Sequence, residues 1–206
     1  APFGQKGGGH DNRKAKATMK IIAITTPTVT DEDAYLIKGL LDNGVDSVHL
    51  RKPDSSIDDC RKILAELDKE QRAKIVVHNY HELYFEFSLK GIHINKNACS
   101  FPKGYNGFKS RSCHSLAEIV RYKKDYDYLF LSPIFDSISK NGYKSAFSHK
   151  ELQQASSYGI IDEKVIALGG VTFNDIPYLK ALNFGGVAMI GSLYNAQGLE
   201  KLKSIK

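Results

Sequence analysis

Residues 164–193 constrain this chain more than any other stretch, because they hold two units of the same kind back to back. Lys-Val-Ile-Ala-Leu-Gly-Gly-Val (164–171) reads as a buried strand ending in paired glycines, and Gly-Gly-Val-Ala-Met-Ile-Gly-Ser (185–192) as a second strand ending in Gly-Ser. One helix length, 172–182, lies between them. Strand, glycine turn, helix and strand make a βαβ unit, and turns without side chains let backbone N–H groups close around an oxyanion. At the end of a 206-residue chain, this pattern predicts an α/β fold, the (β/α)8 TIM barrel, with an anion grip after strands seven and eight.

The earlier part of the chain supplies the strands that this fold needs. Short apolar runs at 20–25, 46–51, 74–78, 91–94, 109–114 and 127–132 alternate with amphipathic or capped segments. Thr30-Asp31 is expected to cap the first helix, which Asn43-Gly44 stops. Ser56 opens a second helix, and Ser115 with Glu118 has the spacing of a capping box. Residues 95–108 form the longest irregular connection. An open doubly wound sheet is the alternative architecture, but its Gly-x-Gly-x-x-Gly signature is absent after the first strand.

Composition fits one domain. Of the six net positive charges, three belong to residues 1–18, a Gly-rich segment without apolar periodicity. That segment is expected to be a disordered leader or a cloning remnant, with a single barrel domain over 19–206. The remaining charge surplus suits anionic small molecules rather than nucleic acid, since no clustered basic and aromatic face is evident. There is no run of 18 apolar residues and no signal-peptide core, so the expectation is a cytoplasmic protein without a membrane partner. Three widely spaced cysteines argue against a disulfide framework.

Reading every second residue sorts the strand faces. His49 and Arg51 on strand two, His93 on strand four, and Ser112 and His114 on strand five fall on the lumen side. Three imidazoles would suit zinc, but they come from separate strands with no carboxylate to orient them, so no metal site is expected with confidence. His93 is expected to be structural. The loop 132–140 carries Ser137, Ser139 and Lys140, groups able to wrap a phosphate or carboxylate.

Taken in order, Val-His-Leu-Arg (48–51), Gly-Ile-His-Ile (91–94), Ser-Cys-His-Ser (112–115), Asp-Tyr-Leu-Phe-Leu-Ser-Pro-Ile-Phe (127–135), Ala-Leu-Gly-Gly-Val (167–171) and Gly-Val-Ala-Met-Ile (186–190) resemble the thiamin-phosphate synthase family and its TenI-type thiazole tautomerases. The resemblance implies a barrel enzyme of vitamin B1 synthesis and suggests a homodimer. It implies that Gly169, Gly170, Gly191 and Ser192, with Ser137 and Ser139, hold a thiazole phosphate. It further implies that Lys140 lies near the phosphates and that Arg51 binds pyrophosphate. His49, His78 and Asn79 fall on the pyrimidine and pyrophosphate side. His114 matches the histidine that TenI-type enzymes use, and imidazole is the side chain suited to accept and return a proton near neutrality.

The departures separate two activities. Synthases of this family carry Asn-Asp after strand three, where this chain has His78 and Asn79, and Gly-Gln-Glu-Asp after strand four, where it has Asn95 to Ala98. The strand-two motif Arg-Glu-Lys is replaced by Arg51, Lys52 and Pro53. Magnesium prefers anionic oxygen ligands, and Asn79 offers at most a neutral amide. The pattern therefore favours TenI-like tautomerase chemistry without a metal. The alternative is an active synthase joining a pyrimidine pyrophosphate to a thiazole phosphate with Mg2+. A non-catalytic phosphate-binding or regulatory barrel is the third reading.

Overall fold

A computed structural model of the chain describes residues 18–96, 99–135 and 146–204. Eight parallel strands close into a barrel in sequence order. They are β1 (Lys20–Ile24), β2 (Ser47–Leu50), β3 (Ile75–Val77), β4 (Gly91–Ile94), β5 (Phe108–Cys113), β6 (Tyr128–Leu131), β7 (Val165–Leu168) and β8 (Gly186–Met189). Closure comes from β1 against β8, with Ile22 opposite Ala188. The helices are α1 (Asp33–Asp42), α2 (Ile57–Ala65), α3 (Lys69–Arg72), α4 (Glu82–Phe87), α5 (Leu116–Tyr122), α6 (His149–Ser157), α7 (Ile176–Ala181) and α8 (Ala196–Ser204).

The period-2 alternation divides the apolar residues into two cores. The outer one joins Val48, Leu50, Ile75, Val77, Ile92 and Ile94 to helix residues such as Ile37, Leu40, Leu64 and Leu83. Each fully buried aliphatic side chain there contributes about 1.5–3 kcal/mol. The inner core is smaller and fills the lumen from one side with Ile22, Ile24, Tyr128, Phe130, Ile166 and Ala188. The other side of the lumen, from β2 to β5, is lined by His49, His93 and Ser110, all 0 % exposed.

Local signals explain most element ends. Ser56 accepts the Asp59 amide while the Asp59 carboxylate takes the Ser56 amide, a complete capping box on α2. Ser148 and Glu151 do the same on α6. The expected Thr30-Asp31 cap does not form. The N-cap of α1 is Glu32 without a side-chain bond, and the Asp33 carboxylate instead accepts the Thr30 amide at 2.7 Å. Gly44, with φ 90°, follows α1 as expected. The short α3, capped by Asp68 and Gln71, was not anticipated, and the segment after β7 opens with one 3-10 turn (Phe173–Asp175) before α7.

Candidate active site at the C-terminal rim

The glycine turns lie where the βαβ reading places them. Gly169 and Gly170 follow β7 with φ of 93° and 66°, left-handed values that disfavour any side chain. A Cβ on Gly169 would stand 2.8 Å from the Pro133 Cα. Ile134 N–H donates to the Leu168 carbonyl and Phe135 N–H to that of Gly169, both at 3.0 Å, so the loop after β6 lies directly on the turn after β7. At the end of β8, a Cβ on Gly191 would meet nothing within 4 Å. Ser192 Oγ donates to the Val171 carbonyl at 2.8 Å, which brings the turn after β8 against the turn after β7. The Ser192 hydroxyl is thus committed to the scaffold. The amides of Gly170, Gly191 and Ser192 donate to no backbone carbonyl among the described residues.

His114 stands one residue past β5 and is exposed. Its Nδ1 faces the Ser132 carbonyl at 3.1 Å, with Ser132 Oγ at 3.3 Å. A carbonyl only accepts, so Nδ1 carries the hydrogen and Nε2 keeps its lone pair. The His114 amide donates to Glu118 Oε2 at 2.5 Å while Ser115 Oγ accepts the Glu118 amide. The expected capping box is therefore shifted: the carboxylate reaches one residue beyond the cap and fixes the backbone of His114. Glu118 is a site-building residue whose spacing was legible but whose target was not.

Deeper in the lumen, imidazoles from three adjacent strands meet. His49 Nδ1 lies 2.8 Å from His78 Nε2, and His49 Nε2 makes a short hydrogen bond with the Tyr128 hydroxyl across the barrel. His93 is bonded through Nδ1 to Ser110 Oγ at 2.9 Å and through Nε2 to Ser112 Oγ at 2.8 Å. The His78 ring stacks on His93 with centroids 4.1 Å apart. Burial lowers the pKa of all three, and repulsion from His93 adds to it at His49 and His78. For His93 the next contributor is the Arg111 guanidinium, and the value falls to about 3. These rings are neutral at pH 7. His49 is wholly enclosed and His78 only 4 % exposed, so neither presents an open face to the rim. Tyr128, Ser110 and Ser112 complete the network. The same alternation that selects His49 also selects them.

Arg51 follows β2, its backbone locked to Thr25 by two bonds: Arg51 N–H donates to Thr25 Oγ1 and Thr25 Oγ1 donates to the Arg51 carbonyl. Its charge bears on His78 and His93, placing it beside the imidazole side of the lumen. Lys52 turns the other way. Its ammonium is buried, 2.7 Å from both Asp33 oxygens and 2.9 Å from the Thr28 carbonyl, and the Tyr194 hydroxyl also donates to Asp33. Burial lowers the Lys52 pKa against the pull of Asp33. Lys52 is thus a fastening between β2, α1 and the start of α8.

Asn79 Oδ1, one residue past His78, is buried without a hydrogen-bond partner among the described residues. Ser137, Ser139 and Lys140 lie outside the described residues. The rim therefore brings Gly169, Gly170, Gly191 and Ser192 together and sets His114 at the end of β5, with Arg51 beside the lumen imidazoles.

A family model described as thiamine monophosphate synthase matches residues 21–193. The thiamine-phosphate synthase of Clostridioides difficile (strain 630) is 24 % identical over 204 residues, covering 93 % of this chain and 95 % of that protein. Among solved structures, a thiamine phosphate pyrophosphorylase from Bacteroides thetaiotaomicron superposes with a TM-score of 0.80 at 34 % identity, covering 91 % of this chain and 99 % of the other. A thiamine phosphate pyrophosphorylase from Pyrococcus furiosus, at 16 % identity and a TM-score of 0.72, shares the fold.

Proposed function

Because this chain belongs to the thiamine monophosphate synthase family, we propose that it is an enzyme of thiamin synthesis that binds a thiazole phosphate at the C-terminal rim and shifts a proton on its ring. The phosphate is gripped by backbone amides of the turns at Gly169-Gly170 and Gly191-Ser192. The tautomerisation needs one positioned acid/base, and His114 fills that role. With Nδ1–H committed to the Ser132 carbonyl, Nε2 takes a proton from one ring position and returns it to another, while Glu118 keeps the residue in place. Arg51 pairs with the substrate carboxylate.

The observation that carries this reading is the donor chemistry beside β3. Where the resemblance calls for a magnesium-binding carboxylate, this chain has a neutral amide, Asn79, directly after His78, on which the Arg51 charge bears. Magnesium favours hard oxygen donors in octahedral array, so these residues do not fit it. A second reading, the synthase that joins a pyrimidine pyrophosphate to the thiazole phosphate, is favoured by the name of the solved relative at 34 % identity.

The test is to supply the purified protein with the thiazole carboxylate phosphate in one tautomeric form and follow its conversion by proton NMR with and without chelator. A parallel reaction contains both thiamin precursors and magnesium. Chelator-insensitive isomerisation is expected. Robust thiamin phosphate formation that chelator abolishes would overturn the reading in favour of the synthase.

A further inference from the structure

We propose that the polar half of the lumen is a binding site for a zinc-class transition-metal dication, held by the imidazoles of His49, His78 and His93. This site differs in donor atoms and residues from any oxygen-ligand magnesium site, and it does not depend on the tautomerase reading.

Geometry is the first ground. One ring nitrogen from each of the three residues lies within 4.8 Å of the others, and all three side chains are buried. Separate strands are no obstacle in a closed barrel, because β2, β3 and β4 are consecutive neighbours. The His49 and His93 rings are 5.4 Å apart at 74°, and His49 and His78 5.0 Å apart at 78°. Two imidazoles on one tetrahedral ion, with bonds of about 2.0–2.1 Å, have ring centres at roughly this separation.

A ring of hydroxyls is the second ground. A histidine that binds metal through one nitrogen gives its other N–H to an acceptor that fixes ring and tautomer. His49 has the Tyr128 hydroxyl at Nε2, and His93 has Ser110 Oγ at Nδ1. Binding converts His49 from the Nδ1–H to the Nε2–H form with no net proton released. The phenol then accepts from Nε2 and turns its own hydrogen toward Ser47 Oγ, which is buried on the same strand face as His49 and within reach of that hydroxyl.

The remaining movement is small. The His49 Nδ1 to His78 Nε2 contact of 2.8 Å opens to about 3.3 Å on a tetrahedral ion. On binding, His49 Nδ1 and His93 Nε2 turn to the ion, His93 giving up its bond to Ser112 Oγ, while the His78 ring leaves its stack on His93. Three nitrogen donors select zinc, cobalt, nickel or copper over magnesium and calcium.

Cobalt(II) added to the full chain is the direct probe. Intense visible d–d absorption of a four-coordinate ion, saturating at one equivalent and displaced by zinc, is expected. The weak spectrum of the octahedral aqua ion at one equivalent would overturn the proposal, and that readout needs no variant. Zinc affinity, measured by competition with a chromophoric chelator, should fall at least tenfold in His49→Gln and in His93→Gln but not in His10→Ala. Equal affinity in all four proteins would also overturn it. X-ray absorption of the zinc-loaded wild type should show three imidazole nitrogens, and a shell of oxygens alone would contradict it.

Discussion

Ser192 fastens the end of β8 to the end of β7 by donating its hydroxyl to the Val171 carbonyl at 2.8 Å. The two glycine turns that the sequence presents as similar units are therefore one surface. Gly191 and Gly169 then differ in what a side chain would do. Gly191→Ala adds a methyl into open space, so stability should change by no more than about 0.5 kcal/mol, whereas affinity for inorganic phosphate should fall at least tenfold. Gly169→Ala meets Pro133 at a φ of 93° and should lose about 1–3 kcal/mol of stability. Urea unfolding and phosphate titration of both variants check this, and unchanged phosphate affinity in Gly191→Ala would remove the amide grip from the mechanism.

His114 should carry turnover rather than binding. His114→Gln is expected to lower the isomerisation rate by about 10²–10⁴ with the thiazole phosphate dissociation constant little altered. Glu118→Ala, which frees the His114 amide, should lower the rate by a smaller factor. A binding module would show no turnover to lose.

Acid should weaken this protein through its lumen. The unfolded chain's imidazoles take up protons below about pH 6.5. Native His49, His78 and His93 resist until far lower, with His93 near about 3. The unfolded state therefore binds more protons in that window, and stability drops as pH falls from 6.5 toward 3. Three such groups predict a loss of roughly 4 kcal/mol per pH unit at most. Urea midpoints at pH 7.5 and 5.5 should show this, and His93→Gln should reduce the slope by about a third. An identical slope in the variant would place the acid sensitivity elsewhere.

The ion pair of Lys52 and Asp33 is wholly buried. Lys52→Met alone leaves a dry carboxylate and should cost about 3–5 kcal/mol, while Lys52→Met with Asp33→Leu and Tyr194→Phe removes the stranded charge and hydroxyl, leaves the Thr30 amide and Thr28 carbonyl without these partners, and should recover part of it. Comparing the unfolding free energies of the two proteins decides between an isolated charge defect and loss of packing.

Much of this was readable in one dimension. Alternation identified His49, His93 and Ser112 as lumen residues, and β4 runs from Gly91 to Ile94 as the Gly-Ile-His-Ile run indicates. The partner choices were not readable. His49 pairs with Tyr128, 79 residues away, because barrel closure brings β6 opposite β2, and no local pattern encodes that crossing. His78 falls within the run 74–78, on the face opposite Ile75 and Val77, but its contacts with His49 and His93 follow only from the register of β2, β3 and β4. Lys52 stands where the strand-two motif of the resemblance has a glutamate. It turns away from the lumen because Asp33, at the start of α1, offers it a buried carboxylate.

The division of the lumen into an apolar and a polar half makes the barrel indivisible. The hydroxyls that receive His49 and His93 come from β5 and β6, so a fragment ending after β4 would strand those rings against aliphatic neighbours, at about 1–3 kcal/mol for each orphaned group. The first four staves cannot mature as a folding intermediate with native packing. The molecule should assemble in a single cooperative act once its fifth and sixth strands arrive.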